Sequence, residues 1–511
     1  MVAMRPGARG GRGWEAIGPA VTRILNTRLP GGCFSMEWLG DHVFLSRLQF
    51  AITSLFHMLW PLLTIGLSLF LVAVEVAWLR TGDAAYYHHA RFWARLLLLN
   101  FGVGVVSGIP LQFEFGTNWA PFSISTGDFF GNILGFEAAM AFMLEAGFLG
   151  IMIFGWKRVS PGIHLFATCM VALGASLSAF WIMIASGWMH TPAGGRLVDG
   201  TFVVDSYIEA MFHPSWFTSV THMWLACLAT SAFVVGGISA GYLVKGRHAE
   251  FFARSLKVAA IAAIIVMPLQ VFTGDLAGLV MAEHQPAKLA ATEAHWDTNP
   301  PGQGAPWVAL AWPDPANGRN AWAIEVPNLL SLMIAHSPTG QVTGLNDIAP
   351  ADRPPVLLPF YAFRAMLAIG FWLLLVAAWT AWQGWRNGMG AGALAARPGM
   401  LRAWIVSIPL GYVAADMGWI VREVGRQPWI VQDWLRTADM ASRLPLANVL
   451  VTTIGFSVVY VLLLIGFLVF ARRLIHHGPD LDAPVPQRHG RLPFHTEPGA
   501  ELGDAGPYGG R

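Results

Sequence analysis

Long apolar runs recur along most of this chain, and short polar segments separate them. A run of about 20 apolar residues is long enough to cross a bilayer as a helix, and nine runs reach that length. Their approximate limits are 46–79, 92–115, 128–156, 161–189, 216–244, 251–282, 356–385, 402–424 and 447–471. Several runs exceed what a bilayer requires, which indicates tilt or extension beyond the lipid. The pattern predicts an all-α, polytopic membrane bundle of about nine transmembrane helices.

Basic residues are unevenly divided among the segments that connect the runs. Alternate connections and the C-terminal end carry Arg80, Arg91, Lys157, Arg158, Lys245, Arg247, Arg254, Lys257, Arg386, Arg397, Arg402, Arg472 and Arg473. The connection from Thr117 to Asp128 carries none. Because basic segments favour the cytoplasmic side, the N-terminus is predicted outside and the C-terminus inside. The connection before the last run departs from this rule, since it places Arg426, Arg436 and Arg443 outside.

Four segments differ in composition and predict the organisation of the chain. Residues 1–35 are rich in Arg and Gly and lack an apolar core, which indicates an extended start or a disordered tail before Met36. Residues 36–475 form the nine-span unit, and residues 283–355 within it form one long outside loop that contains Trp296, Trp307, Trp312 and Trp322. A loop of this length is usually functional. Residues 476–511 are predicted to be a disordered cytoplasmic tail.

Composition supports a membrane protein and narrows its chemistry. The chain has 511 residues, of which 55% are hydrophobic and 12% charged, whereas soluble domains have about 25% charged residues. Nothing in the charge pattern indicates nucleic-acid binding. The three cysteines form no C-x-x-C or C-x-x-C-H motif, so an iron–sulfur cluster or a covalently attached haem is not indicated.

Several ionisable residues lie inside the apolar runs, where hydrocarbon offers no water to satisfy them. His57 lies in the first run and His222 early in the fifth, and each is a candidate metal ligand or a hydrogen-bonded core residue. Glu137 and Glu145 lie in the third run, two helical turns apart and broadly on one side. They are candidates for proton relay or metal ligation, and the alternative is hydrogen bonding between helices in the protonated form.

Two further groups of residues lie at the start of the seventh run and in the long loop before it. Arg364 and Met366 begin that run, where Arg364 could either extend to the interface or neutralise a cofactor carboxylate, and Met366 alone would be a core residue. Lys288, Glu293 and His295 lie in the long loop. On sequence alone, these loop residues could belong simply to a solvated face.

The segment Gly418–Trp429, GWIVREVGRQPW, places Trp419, Arg422, Glu423 and Arg426 at the end of the eighth run. A Glu423–Arg426 salt bridge at i, i+3 is one interpretation. The flanking tryptophans and the Gln-Pro break favour the edge of a redox site. A haem–copper oxidase would need more histidines within the runs, and a cytochrome b would need paired histidines, whereas His190 at the end of the fourth run has no partner at haem spacing.

Five segments together resemble subunit I of the cytochrome bd-type quinol oxidases, over residues from about Met36 to about Arg473. They are Ser46–His57 (SRLQFAITSLFH), Gly116–Trp119 (GTNW), Lys288–Glu293 (KLAATE), Phe363–Met366 (FRAM) and Gly425–Trp429 (GRQPW). The resemblance implies a quinol:oxygen oxidoreductase of the respiratory chain in the bacterial inner membrane. Two other classes stay open: a haem-bearing electron carrier that does not reduce oxygen, and a transporter with buried acidic residues.

The resemblance also implies cofactors and their ligands. The expected cofactors are a low-spin haem b, a high-spin haem b, and haem d or a further haem b in its place. His222 and Met366 match the axial pair of the low-spin haem, a combination that raises its potential. His57 and Glu423 match ligands of the two high-spin haems, without an assignment of which ligates which. Arg364, Trp419 and Arg426 match residues around the haems.

The implied mechanism divides proton chemistry between the two sides of the membrane. Lys288 and Glu293 match quinol-binding positions of the outside loop, and Glu137 and Glu145 match the acidic pair that supplies protons from inside. The result would be a proton-motive force without pumping. The expected partners are subunit II, a small single-span accessory subunit, membrane quinol and oxygen. The chain departs from the family pattern before GTNW, where Gln112 and Glu114 stand in exchanged positions, and its long loop resembles the short-loop class.

Overall fold

The structure, a computed structural model, describes residues 41–486. The predicted extended start at 1–35 lies outside these residues, as does the predicted tail from residue 487 onward. Within 41–486, nine helices are long and apolar enough to cross a membrane, and we number them α1 to α9. Their bounds are α1 His42–Thr81, α2 Ala84–Gly116, α3 Gly127–Phe154, α4 Pro161–His190, α5 Trp216–Val244, α6 Ala249–His284, α7 Leu357–Asn387, α8 Pro398–Val424 and α9 Leu446–His477. The predicted nine-span helical bundle is confirmed.

Local capping explains where the first helices begin and end. The Asp41 carboxylate accepts a hydrogen bond from the Val43 amide, and Gly82 ends α1 with a φ of 78°. Asp83 caps α2 in the same way through the Ala85 amide. The predicted start of this span at residue 92 was therefore about two turns late, because the polar residues after Asp83 are helical although they add little to the apolar run.

Two spans are irregular, which the apolar pattern did not predict. α3 contains π-helical segments at Gly127–Gly131 and Glu137–Phe142. α8 consists of two helices, Pro398–Val406 and Leu410–Val424, where the sequence predicted one continuous run over 402–424. Pro409 lies at the break, where its missing N–H cannot continue the helical hydrogen bonds.

Short elements connect the spans. In the described part of the chain, six strands pair as three antiparallel hairpins: β1 Gly195–Val198 with β2 Thr201–Val204, β3 Trp307–Asp314 with β4 Arg319–Val326, and β5 Trp429–Val431 with β6 Leu435–Arg436. The short helices are Ala120–Ser125, Tyr207–Met211, Pro286–Glu293, Leu329–Ala335, Ala391–Ala395 and Thr437–Met440, with 3₁₀ turns at Leu345–Asp347 and Pro350–Asp352. We call Pro286–Glu293 the loop helix.

The core of the bundle is built around α5, the most buried of the nine spans. The Phe233 ring of α5 stacks on the Trp404 ring of α8, with centroids 4.7 Å apart. The Trp404 indole N–H donates to the Thr380 hydroxyl of α7 over 2.9 Å, so a polar atom inside the bundle is satisfied. These contacts join three spans that carry candidate site residues.

Because consecutive spans alternate in direction, each end of the bundle collects the beginnings of some spans and the ends of others. The beginnings of α1, α5 and α7 and the ends of α4, α6 and α8 lie at one end, together with the loop helix and the three hairpins. We call this the loop end, and the opposite end, where α1 finishes and α9 finishes, the tail end.

Candidate functional site

Glu423, in the last turn of α8, is the centre of a charged cluster at the loop end. One carboxylate oxygen accepts from the Arg426 guanidinium, so the ion pair that the sequence left as an alternative is present. The other oxygen lies 3.3 Å from His190 Nε2 and 3.4 Å from the Ser186 hydroxyl. The side chain stays about one third exposed, at 34%. A second positive group, Arg422, lies 3.7 Å away, so the carboxylate is surrounded by cationic and hydrogen-bonding partners.

The two arginines of this cluster have more donors than the residues around them can satisfy. Arg426 Nε and Nη1 and Arg422 Nη2 are buried, and none of them has a hydrogen-bond partner among residues 41–486. Arg422 Nε donates to Ser186 over 3.2 Å. A buried donor without an acceptor costs about 1–3 kcal/mol, or more when charged. The arrangement therefore fits an anionic group bound beside Glu423.

His190 joins this cluster to the loop helix, a connection that sequence reasoning missed. Its Nδ1 lies 3.4 Å from Lys288 Nζ and 3.3 Å from Gln285 Nε2, and its Nε2 faces Glu423. Because the Gln285 amide nitrogen can only donate and the Glu423 carboxylate accepts, Nδ1 is the acceptor and Nε2 carries the proton. The position of His190 at the end of a span was a signal in the sequence. The sequence did not show which residues of other helices contact it.

The loop helix is buried, which corrects the interpretation of this segment as a solvated face. Lys288, Glu293 and His295 are only 6%, 2% and 6% exposed. Pro286 starts the helix with a preset φ, and Ala294 ends it in the left-handed region with a φ of 50°. The His295 ring donates through Nε2 to the Val342 carbonyl over 3.1 Å. Burial follows because the chain after β4 folds back over the helix.

Burial dominates the electrostatics of Lys288. It holds the pKa of this ammonium well below its ordinary value, and the nearby positive charges of Arg422 and Arg426 lower it further. Glu423 acts in the opposite direction. A lysine in such surroundings readily exists as a neutral amine that can accept as well as donate a hydrogen bond.

Glu293 forms the second charged group of the loop end, through a buried ion pair with Arg364 of α7. Arg364 Nη2 lies 2.7 Å from the Glu293 carboxylate, and its Nε donates to the Val308 carbonyl of β3 over 2.8 Å. The guanidinium lies over the Phe360 ring, with its carbon 4.6 Å from the centroid. Burial raises the pKa of Glu293, and the charge of Arg364 opposes that increase. Lys288 and Glu293 therefore share a helix but have different partners.

His57 lies deep in α1, about 22 Å from its first residue at 1.5 Å per residue. Its Nδ1 is 3.0 Å from the Ser107 hydroxyl of α2, and that hydroxyl donates to the Gly104 carbonyl over 2.9 Å. The hydroxyl oxygen must therefore accept the proton of Nδ1, which leaves the Nε2 lone pair available. Metal-binding histidines are typically oriented in this way by a partner on the other nitrogen.

His222 and Met366 lie nearer the loop end, on α5 and α7. His222 Nδ1 is 3.1 Å from the Thr273 hydroxyl, and Nε2 is 3.1 Å from the Gln270 amide, both on α6. The sulfur of Met366 faces Gly418 of α8, where even a single added methyl carbon would lie 3.1 Å from it. The thioether is thus close to the backbone of the span that carries Trp419 and Glu423.

Glu137 and Glu145 both face α4, as their spacing predicted. The Ser178 hydroxyl donates to Glu137 over 2.7 Å. Glu145 is buried against Gly174, whose missing side chain admits it, since a Cβ there would lie 2.9 Å from the Glu145 Cβ. Glu114, the residue of the exchanged pair, is buried beside Gln49 and Thr53 of α1. These three carboxyl groups are therefore among those that lie inside the bundle.

The structure brings some of the candidate residues into contact at the loop end and places others elsewhere in the bundle. Trp419 packs on the α1–α5 contact around Leu62 and Met223, and its ring lies under Arg422, with the guanidinium carbon 5.9 Å from the centroid. The loop end brings Glu423, Arg426 and Lys288 together through His190. A nine-span bundle with these buried histidine, methionine and carboxylate groups has the features of an integral membrane oxidoreductase.

Comparison with known proteins identifies the family. Residues 45–479 match the family model of cytochrome bd terminal oxidase subunit I. Cytochrome bd ubiquinol oxidase subunit 1 of Bacillus subtilis is 34% identical, over 89% of this chain and 97% of the relative. Cytochrome bd-II ubiquinol oxidase subunit 1 of Escherichia coli is 32% identical, over 86% and 97%. The bd oxidase structure from Geobacillus thermodenitrificans superposes with a TM-score of 0.78 at 32% identity, covering 86% of this chain and 99% of that one.

The chain belongs to the cytochrome bd terminal oxidase subunit I family. The family resemblance and the enzyme class that it implied are confirmed. Membership implies haem cofactors and a partnership with a second subunit.

The side chains at the candidate site fit haem in three respects. Nδ1 of His57 is held by the Ser107 hydroxyl of α2, so Nε2 is the nitrogen that could ligate iron. The unpartnered guanidinium nitrogens of Arg426, Arg422 and Arg364 match the carboxylates of haem propionates. Gln270, whose amide oxygen is buried without a partner, would release Nε2 of His222 when that nitrogen ligates iron.

Ser107→Ala tests the orientation of His57. Without the hydroxyl, Nδ1 loses its acceptor, and we expect haem affinity at this site to fall by about 10- to 100-fold, the usual cost of an outer partner. The haem-to-protein ratio and the CO difference spectrum of the purified complex measure this. Ser54→Ala is the matched control, because the Ser54 hydroxyl bonds only carbonyls of its own helix. Equal haem content in both variants would contradict the orienting role.

Proposed function

We propose that this protein is the quinol-oxidising, oxygen-reducing subunit of a bacterial inner-membrane terminal oxidase. The observation that carries the proposal is the contact of Glu293 with Arg364, which lies two residues before Met366 on α7. A carboxylate able to accept quinol protons thus lies beside a candidate ligand of an electron-accepting iron. The names of the relatives in E. coli and B. subtilis, both ubiquinol oxidases, support the same class of substrate.

In this proposal, four residues ligate three haems. His222 and Met366 ligate a low-spin haem b, while His57 and Glu423 ligate the two high-spin haems, one of them haem b and the other haem d or a further haem b. When bound, the haems carry the electrons and provide the iron at which oxygen is reduced. Arg364 and Arg426 neutralise propionates, for which their unpartnered nitrogens are suited.

The loop end faces the outside in this proposal, as the distribution of basic residues predicts. Quinol binds there between the loop helix and the beginning of α7, and Glu293 accepts its protons and releases them outside. Lys288, whose pKa burial lowers well below its ordinary value, contacts the quinol head group. The charge of Arg364 holds the Glu293 carboxylate in place between turnovers.

Protons for water come from the tail end through α3. Glu145 lies about 27 Å and Glu137 about 15 Å from the first residue of α3, at 1.5 Å per residue, so they form two steps of one route along α4. Ser178 fixes the Glu137 carboxyl by donating to it. Because the protons of quinol leave at one side and those for water enter from the other, charge separates without a pump.

One experiment distinguishes this function from its two alternatives. Reduced and CO-bound spectra of the complex with subunit II are recorded together with quinol-driven oxygen uptake. The proposal requires both a CO-reactive haem and uptake. A haem without CO reactivity and without uptake would identify an electron carrier, and the absence of any haem would leave a transporter with buried acidic residues. A single-span accessory subunit would appear as an additional small chain in the purified complex.

Met366→Leu tests the low-spin ligand pair. Leucine retains the volume of methionine but has no sulfur, so the fold is preserved at a cost below about 1.5 kcal/mol. We expect selective loss of the low-spin signal in the reduced spectrum, with the CO-reactive signal retained. Met58→Leu is the control for a methionine elsewhere in the bundle. An unchanged low-spin spectrum in Met366→Leu would exclude this ligand.

A further inference from the structure

The hairpin β3–β4 presents a continuous apolar face away from the protein. Its members are Leu310, Trp312, Trp322, Ile324 and Val326, which are 50%, 58%, 53%, 56% and 41% exposed. We call them the hairpin face. Leu310 is paired across the strands with Ile324, and Trp312 with Trp322, so these side chains lie on the same side of the ribbon. With large side chains of about 150–250 Å² each, the exposed face is on the order of 500 Å², among the largest patches found on soluble monomers.

The opposite side of the hairpin is fixed to the beginning of α7. The Tyr361 hydroxyl donates to the Ala311 carbonyl over 2.9 Å, and Arg364 Nε donates to the Val308 carbonyl over 2.8 Å. Tyr361 and Arg364 lie within the first three turns of this span. β3 therefore lies at the height where the span leaves the hydrocarbon.

The segment after β4 is fixed in the same way to α6. The helix Leu329–Ala335 follows the hairpin, and its Ile334 lies beside Gly278 of α6 and packs against the same apolar cluster as Met281 near the end of that span. Both ends of the hairpin are thus tied to spans at the same level of the bundle. The ribbon cannot stand far above the membrane surface.

The apolar surface continues from the hairpin onto the membrane-facing side of α7. Leu357 and Leu358, in the first turn of that span, are 43% and 52% exposed, and Tyr361 is 39% exposed. These residues belong to a helix that is long and apolar enough to cross a membrane. Paired tryptophans beside aliphatic side chains are the composition found at the boundary between head groups and hydrocarbon.

We propose that the hairpin face rests in the lipid surface of the leaflet at the loop end. The occupant is phospholipid, because the face continues the lipid-facing side of α7 and carries an interfacial tryptophan pair. The same ribbon holds Arg364 through the Val308 carbonyl, and Arg364 holds Glu293. Two contacts, from Val308 to Arg364 and from Arg364 to Glu293, therefore join the lipid-facing hairpin to the carboxylate that the proposed function assigns to quinol oxidation.

Site-directed spin labelling tests this position. Trp312→Cys and Trp322→Cys are labelled with a nitroxide in a Cys33→Ser, Cys169→Ala background, since the third cysteine, Cys227, is fully buried. The complex with subunit II is reconstituted in nanodiscs of phosphatidylcholine and phosphatidylglycerol. We expect collisions with oxygen to exceed those with the water-soluble nickel chelate NiEDDA several-fold. Asn317→Cys in the exposed turn between the strands is the control, with the opposite ratio.

Two results would overturn the proposal. If labels at 312 and 322 collide with NiEDDA as often as the label at 317, the face lies in water. If they are shielded from both reagents, another protein covers the face, which a benzophenone amino acid at position 312 would confirm by linking to a protein chain instead of lipid. Ile324→Cys replaces either tryptophan variant that fails to assemble. The readout does not require turnover, so it is independent of whether quinol is the substrate.

A kinetic comparison tests the functional consequence, which rests on the proposed function. In Trp312→Ser/Trp322→Ser, we expect the KM for a long-chain membrane quinol to rise several-fold, with kcat unchanged. The KM for a short-chain, water-soluble quinol should stay at the wild-type value, because it does not reach the enzyme through lipid. Equal increases for both quinols would contradict a role for the hairpin face in access from the membrane.

Discussion

His57→Ala is expected to abolish quinol-driven oxygen uptake while the complex still assembles. The imidazole offers one fixed nitrogen and one free lone pair inside the bundle, and alanine offers neither. The loss should exceed about 100-fold, because even outer partners of a metal ligand cost 10- to 100-fold. The CO difference spectrum should lose the signal of one high-spin haem, and the low-spin signal should remain.

His222→Ala provides the matched comparison, because it removes a histidine of equal burial from a neighbouring span. It is expected to remove the low-spin signal and leave the CO-reactive one. His57→Ala should therefore retain the low-spin signal, and His222→Ala should retain the CO-reactive signal. If His57→Ala retains the complete CO spectrum of the wild type, His57 is not a haem ligand, and its contact with Ser107 is then only structural.

Glu293→Gln is expected to lower quinol-driven uptake by about 10²- to 10⁴-fold, the usual contribution of a general base. The amide keeps the shape of the side chain but cannot accept a proton from quinol. Reduction by dithionite bypasses the quinol site, so the haem spectra of the variant should equal those of the wild type. A fall in uptake accompanied by loss of haem would point to a folding defect, since breaking a buried ion pair costs about 3–5 kcal/mol.

The pH profile separates proton acceptance from a merely structural ion pair. Burial raises the pKa of Glu293 above its ordinary value, and Arg364 limits the increase. The proton-accepting form is the carboxylate, so uptake should rise with pH through this pKa and then level off. In Glu293→Gln that rising limb should disappear. The control is Asp352→Asn, which breaks the more exposed ion pair between Asp352 of the same loop and Arg436. This variant should leave the uptake rate and its pH profile unchanged. If Glu293→Gln retained the rise of uptake with pH, Glu293 would not be the proton acceptor.

The spans could be predicted from sequence because hydrophobicity over 20 residues is a strong signal, but their ends and irregularities could not. The first turns of α2 are polar, and only the Asp83 cap shows that they are helical. The break in α8 depends on Pro409, which can lie in a kinked helix as well as in an interrupted one. The hairpins follow from pairing between strands, which a single polar loop sequence does not reveal.

The candidate residues could be named from sequence largely through the family resemblance, whereas their partners required the fold. Nothing near Lys288 in the chain indicates His190, which comes from a helix almost a hundred residues earlier. Likewise, the burial of Glu293 depends on Arg364 and on the return of the chain after β4. Contacts between distant segments are set by packing, so a solvated loop and a buried site had the same local pattern.

The π-helical segment Glu137–Phe142 fixes the rotational phase of the acidic pair. A π-helical turn accommodates one residue more than an α-helical turn, so such a segment acts as an insertion absorbed within a helix. Deleting one residue, for example Ala139, would restore α-helical geometry with the present alignment, whereas the same residues wound as a regular α-helix would rotate everything before the turn by about 100° relative to Glu145. Glu137 would then leave Ser178 while Glu145 kept its place against Gly174. The alignment of two carboxyl groups along α4 thus depends on the number of residues in this turn as much as on their identity.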